Sequence, residues 1–120
     1  EKHSPGNIQA IFDRRTAAGG FNGQGHEGGA DRFVAQVLLP KKRNGRFFEM
    51  GAYNGVDSNT WYFEMSRSFT GVMIEASTGL FKKAQENRPN VRLVNVAISE
   101  QEGFLTKMSG WGGTTHTVCA

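Results

Sequence analysis

From Asp31 onward, short apolar runs alternate with helical stripes, and that alternation predicts the fold. Asp31 opens a helical pattern in which Phe33, Val34, Val37 and Leu38 share one face, and Pro40 ends it. Residues 41–45 read as a polar turn. Arg46-Phe47-Phe48-Glu49-Met50 is a short apolar run stopped by Gly51, as expected of a strand entering a tight turn. A second helix follows, with Asp57, Ser58 and Asn59 as candidate N-caps and Trp61, Tyr62, Met65 and Phe69 as its apolar face. Gly71 breaks it. Val72-Met73-Ile74 is a second strand ending at Glu75, and Ser77 or Thr78 caps a third helix whose Leu80, Phe81 and Ala84 face inward until Pro89 stops it. Residues 91–98 predict a third strand, 100–103 a turn, and 104–108 a weaker fourth strand. Residues 109–120 show no period. Residues 1–30 read as loop, with Ile8, Ile11 and Phe12 able to dock a short helical turn.

Strand, helix, strand, helix, strand with short links is a βαβαβ unit. Right-handed crossovers make the strands parallel, with the first central and the third outermost. The expected class is therefore α/β, the N-terminal half of a doubly wound sheet. Such sheets usually have five strands or more, and the chain reads as a fragment of one.

Composition narrows the chemistry. Sixteen of 120 residues are glycine, about twice the usual share, and six of them fall between positions 19 and 29. This divides the chain into a flexible Gly-rich segment, 1–30, and a partial domain, 31–120. No apolar run approaches the ~20 residues of a membrane span. The net charge of +3 includes one basic run, Lys41-Lys42-Arg43, which reads as a solvated turn. The aromatic residues lie on apolar faces and do not interleave with Lys and Arg, so a nucleic-acid surface is not expected. One cysteine, Cys119, excludes an internal disulfide, and His3, His26 and His116 have no metal-ligand spacing, so no metal site is expected.

Ligands of open α/β sheets bind beyond the carboxyl ends of the strands. Three features fall there. The turn after the first strand reads Glu49-Met50-Gly51-Ala52-Tyr53-Asn54-Gly55, an acid followed by two glycines that let backbone pass close under a ligand, with N–H groups able to meet an anion. Glu75 closes the second strand about 20 residues after that turn, where a carboxylate accepts hydrogen bonds from ribose hydroxyls. Asn95-Val96-Ala97-Ile98 would border an adenine. The dinucleotide fingerprint G-x-G-x-x-G suits pyrophosphate, whereas Glu-x-Gly-x-x-x-Gly sets a carboxylate where phosphate would approach. That charge suits an ammonium or sulfonium group, and S-adenosylmethionine carries both.

Residues 45–99 closely resemble the FkbM-type family of S-adenosylmethionine-dependent methyltransferases. The shared elements are the run from Gly45 to Ala52, Gly55, Ser58-Asn59-Thr60, Gly71, Ile74-Glu75-Ala76 and Asn87-Arg88-Pro89, with 30–39 resembling the family's preceding helix. The resemblance implies a Rossmann-like class I methyltransferase fold. It places Glu49, Gly51, Ala52 and Gly55 along the methionine part of the cofactor, Asn59 near its carboxylate, Glu75 at the ribose and Ala97 at the adenine. Asn54 stands where Asp is common, and the Gly-rich N-terminal stretch replaces a tighter polar motif.

The implied reaction is methyl transfer to a hydroxyl oxygen of a small molecule or glycan, which depends on in-line alignment and exclusion of water. The chain shows no convincing general base; His116 is an outside candidate, and no catalytic residue is named. Two other readings are a truncated, non-catalytic remnant of such a domain and an NAD-binding half-domain, the latter disfavoured by Glu49 and the missing third glycine.

Overall fold

A computed structural model describes residues 8–22 and 29–100. The described residues form two compact units, those up to Arg46 with Val56–Thr70, and Phe47–Gly55 with those from Gly71 on. The expected fourth strand at 104–108 and His116 lie outside the described residues.

The strands are β1 (Arg46–Met50), β2 (Thr70–Ile74) and β3 (Arg92–Val94), ordered β1-β2-β3 in one parallel sheet. Helices α3 (Trp61–Arg67) and α4 (Thr78–Asn87) alternate with them along the chain. This is the α/β class expected from the alternation of runs. Within the described sheet β2 is the middle strand and β1 an edge.

In the second unit, Val72, Met73 and Ile74 of β2 pair with Arg92, Leu93 and Val94 of β3. The apolar centre is Ala52, Met73 and Val91, with Phe47 and Leu93 packed against it. Gly71 does not break an element but lies within β2. A Cβ there would fall 2.1 Å from the Phe47 carbonyl oxygen, so only glycine admits the backbone of β1 at this distance. Burial alternates along β1: Phe47 and Glu49 are half-buried, while Phe48 and Met50 are exposed. Helix α4 starts where expected, with the Ser77 hydroxyl accepting from the Leu80 N–H, and Ala84 is fully buried. Strand β3 stops at Val94, four residues before the expected end. The Glu75 N–H still donates to the Val94 carbonyl, but the next residue, Asn95, turns its side-chain amide to the carbonyls of Glu75 and Ala76 (2.8 and 3.1 Å). A side chain thus replaces the backbone ladder.

The first unit holds α1 (Ile8–Ala17), α2 (Ala30–Phe33, continuing as a π-helical turn Val34–Leu38) and α3. Helix α1 corrects the expectation of loop there. Arg15, fully buried, anchors it by donating to the Val56 carbonyl at 2.7 Å, a long-range contact that no local period reveals. Helix α2 ends before Pro40 as expected, but its faces are reversed. Asp31 and Ala35 are buried, while Phe33, Val37 and Leu38 are 54–60% exposed. Asp31 is drawn inward by Arg15 (3.5 Å) and by the Asn22 N–H (2.7 Å). Helix α3 begins at Trp61 with Thr60 at the cap, and none of Asp57, Ser58 or Asn59 serves as N-cap; the Ser58 hydroxyl accepts from the Thr60 N–H ahead of the helix. Ser68, in the left-handed region at φ 55°, ends α3, so Phe69 packs against Phe63 from beyond it and Met65 is exposed.

Candidate functional site

All the strand ends of the second unit converge on residues with backbone-ordering roles. The turn 51–55 takes positive φ at Gly51 (77°), Tyr53 (54°) and Gly55 (82°). A non-glycine residue in that region is costly unless its surroundings hold it there. Here they do: the Tyr53 N–H donates to Glu75 Oε2 at 2.7 Å. The Gly51 and Ala52 N–H groups donate to the Ile74 carbonyl (2.8 and 2.9 Å), and the Gly55 N–H returns to the Ala52 carbonyl.

The far side of the turn is held by the end of α4. The Asn87 amide donates to the Asn54 carbonyl, and the fully buried Arg88 donates to the Gly55 carbonyl, both at 2.9 Å. The Arg88 guanidinium also lies 5.6 Å from the Phe47 ring centroid. The two glycines have different reasons. A Cβ at Gly55 would press on Arg88 Cγ (2.9 Å) and the Ala84 Cα (3.1 Å), whereas one at Gly51 would meet nothing within 4 Å. Gly55 is a packing position; Gly51 leaves an open approach to the turn.

Glu75 is 7% exposed. Besides the Tyr53 N–H, it accepts from the Ser77 N–H at 2.9 Å through Oε1, so one side chain joins the glycine turn to the entry of α4. Among the described residues no cation stands within ion-pair distance of it, and each oxygen retains acceptor capacity. Asn95 holds the Glu75 main chain from the end of β3 and receives the Thr78 hydroxyl at 3.3 Å.

The structure therefore brings Gly51, Ala52, Gly55 and Glu75 together. Glu49 stands half-buried at the end of β1, on the covered face with Phe47. Ala97 is half-buried past the end of β3. Asn59 belongs to the first unit, in the turn before α3. One expectation is corrected: the N–H groups of Gly51, Ala52, Tyr53 and Gly55 are taken up inside the protein and do not form an anion cradle. Asn87 and Arg88 were legible only as part of a motif, and their grip on the turn depends on contacts across 33 positions.

No protein-family model matches the chain, and no curated protein matches it. Among solved structures, a candidate sarcosine dimethylglycine methyltransferase from Galdieria sulphuraria is similar over 57% of this chain, at 13% identity and a TM-score of 0.47. The matched part is 28% of that protein, so the chain spans little more than a quarter of its length. At that identity no residue role passes between the two, and the α/β fold stands on the strand order described above.

Proposed function

We propose that the second unit is the donor-binding part of an S-adenosylmethionine-dependent methyltransferase, acting on a hydroxyl of a small molecule or glycan. The observation that carries this reading is Glu75: a buried carboxylate at the carboxyl end of a parallel strand, held by two backbone N–H groups and, among the described residues, by no cation. Burying such a charge is costly, and its remaining lone pairs suit a hydroxyl pair such as a ribose diol. The open side of Gly51 and the carboxylate of Glu49 suit the cationic end of the same ligand. Ala97 at the adenine and Asn59 near the donor's carboxylate are assigned by the FkbM-type resemblance alone.

The consumed N–H groups weigh against a dinucleotide, because a pyrophosphate needs free backbone donors. When bound, S-adenosylmethionine supplies an electrophilic methyl group. The chain's own part is to fix the turn 51–55 through Glu75, Asn87 and Arg88, and to orient the donor through Glu49 and Glu75. Saturation-transfer NMR and calorimetry on this chain, with S-adenosylmethionine, S-adenosylhomocysteine and NAD in parallel, test the reading. Binding of the first two and not of NAD is expected. Tighter binding of NAD, or no response to S-adenosylmethionine, overturns it.

A further inference from the structure

The reversed faces of α2 leave an apolar stripe in the first unit that the methyltransferase reading does not use. Phe33, Val37, Leu38 and Leu39 are 54, 60, 59 and 38% exposed. Around them, residues 32–46 carry five cations, Arg32, Lys41, Lys42, Arg43 and Arg46, and no acid. All five are exposed. The one acid adjoining the stretch, Asp31, is buried and paired with Arg15.

The presentation of this stripe is fixed by bonds. Arg67 of α3 donates through Nη1 to the carbonyls of Leu39 and Lys42 (3.0 and 3.1 Å) and through Nη2 to that of Ala35 (3.3 Å). The Asn44 N–H donates to the Arg67 carbonyl at 2.9 Å. One guanidinium thus satisfies the carbonyls at the end of the π-helical turn and ties the basic loop beside it. Arg15 holds the other side of the helix through Asp31. Large apolar side chains are pushed outward while the small and acidic ones are locked in.

We infer that residues 32–46 form a docking surface for an anionic lipid bilayer. Apolar side chains on one helix face, flanked at both ends by cations, match the two demands of an interface: depth into the acyl boundary and attraction to acidic headgroups. No helix of the described residues is long and apolar enough to cross a membrane, and the contact proposed here is a peripheral one. An acidic protein partner would read the same charge, but it would also call for a specific polar complement. Gln36 is the one neutral polar side chain between Arg32 and Lys41.

Cosedimentation of the whole chain with phosphatidylcholine vesicles, with and without phosphatidylglycerol, tests this. Binding is expected only with the anionic lipid, and it should weaken as salt rises. The pair Val37→Asp/Leu38→Asp and, separately, Lys41→Glu/Lys42→Glu should each reduce binding about tenfold or more, with circular dichroism unchanged. The second pair lies outside any helix, so its effect does not depend on helix integrity. Four results overturn the proposal: no binding; equal binding to neutral vesicles; full binding by the Val37/Leu38 variant; or sedimentation velocity showing that the stripe joins two copies of the chain.

Discussion

Among the described residues, each unit buries one carboxylate almost completely, and the two are treated in opposite ways. Asp31 in the first unit is 1% exposed, receives the Asn22 N–H and stands beside the guanidinium of Arg15, itself fully buried and 4.8 Å from the Trp61 ring centroid. Its charge is neutralised where it lies. Glu75 in the second unit receives two backbone N–H groups, and among the described residues no cation balances it. A charge cancelled inside the protein can do nothing but hold structure. A charge left standing at a strand end can hold structure and also meet a ligand.

That contrast can be broken most forcefully in the first unit. Arg15→Met should strand Asp31 without a counter-charge and cost about 3–5 kcal/mol, read by urea unfolding. The double variant Arg15→Met/Asp31→Leu should recover much of the loss, since replacing both ions by apolar groups removes the stranded charge. In the second unit, Glu75→Ala leaves the Tyr53 and Ser77 N–H groups without an acceptor and should cost about 2–4 kcal/mol. No companion change of a cation should rescue it. A rescue would mean that Glu75 is paired much as Asp31 is.

How far the chain's pattern discloses this depends on the distance over which each feature is determined. Strand β1 has the predicted bounds, and the Ser77 cap and the end of α4 before Pro89 follow local rules of run length, capping and proline. The pattern points the faces of α2 the wrong way because Phe33, Val37 and Leu38 look like an inner stripe, whereas Arg15 and Arg67 set the orientation through Asp31 and Ala35, 16 and 32 positions away. Helix α1 was hidden for the same reason. In the candidate site, Glu75 and the two glycines were legible from spacing. That the N–H groups of Gly51, Ala52 and Tyr53 are spent internally was not, because their acceptors, the Ile74 carbonyl and the Glu75 side chain, lie more than 20 positions away.

Two smaller changes sharpen the comparison around Glu75. Gly55→Ala adds a Cβ against Arg88 and Ala84 at a positive φ and should cost about 1–3 kcal/mol by thermal unfolding. Ser77→Ala removes the α4 cap hydroxyl but keeps the N–H that Glu75 binds. It should cost about 1 kcal/mol by the same measurement and leave ligand binding nearly unchanged.

The most direct test is the affinity of the chain for S-adenosylmethionine before and after Glu75→Gln, with circular dichroism confirming that the fold persists. An amide keeps the side chain's size and one acceptor oxygen while removing the standing charge. The predicted result is donor binding by the original chain and a loss of about tenfold or more in the variant. Equal affinity in the two, with the fold intact, would contradict the claim that this uncompensated carboxylate serves a ligand.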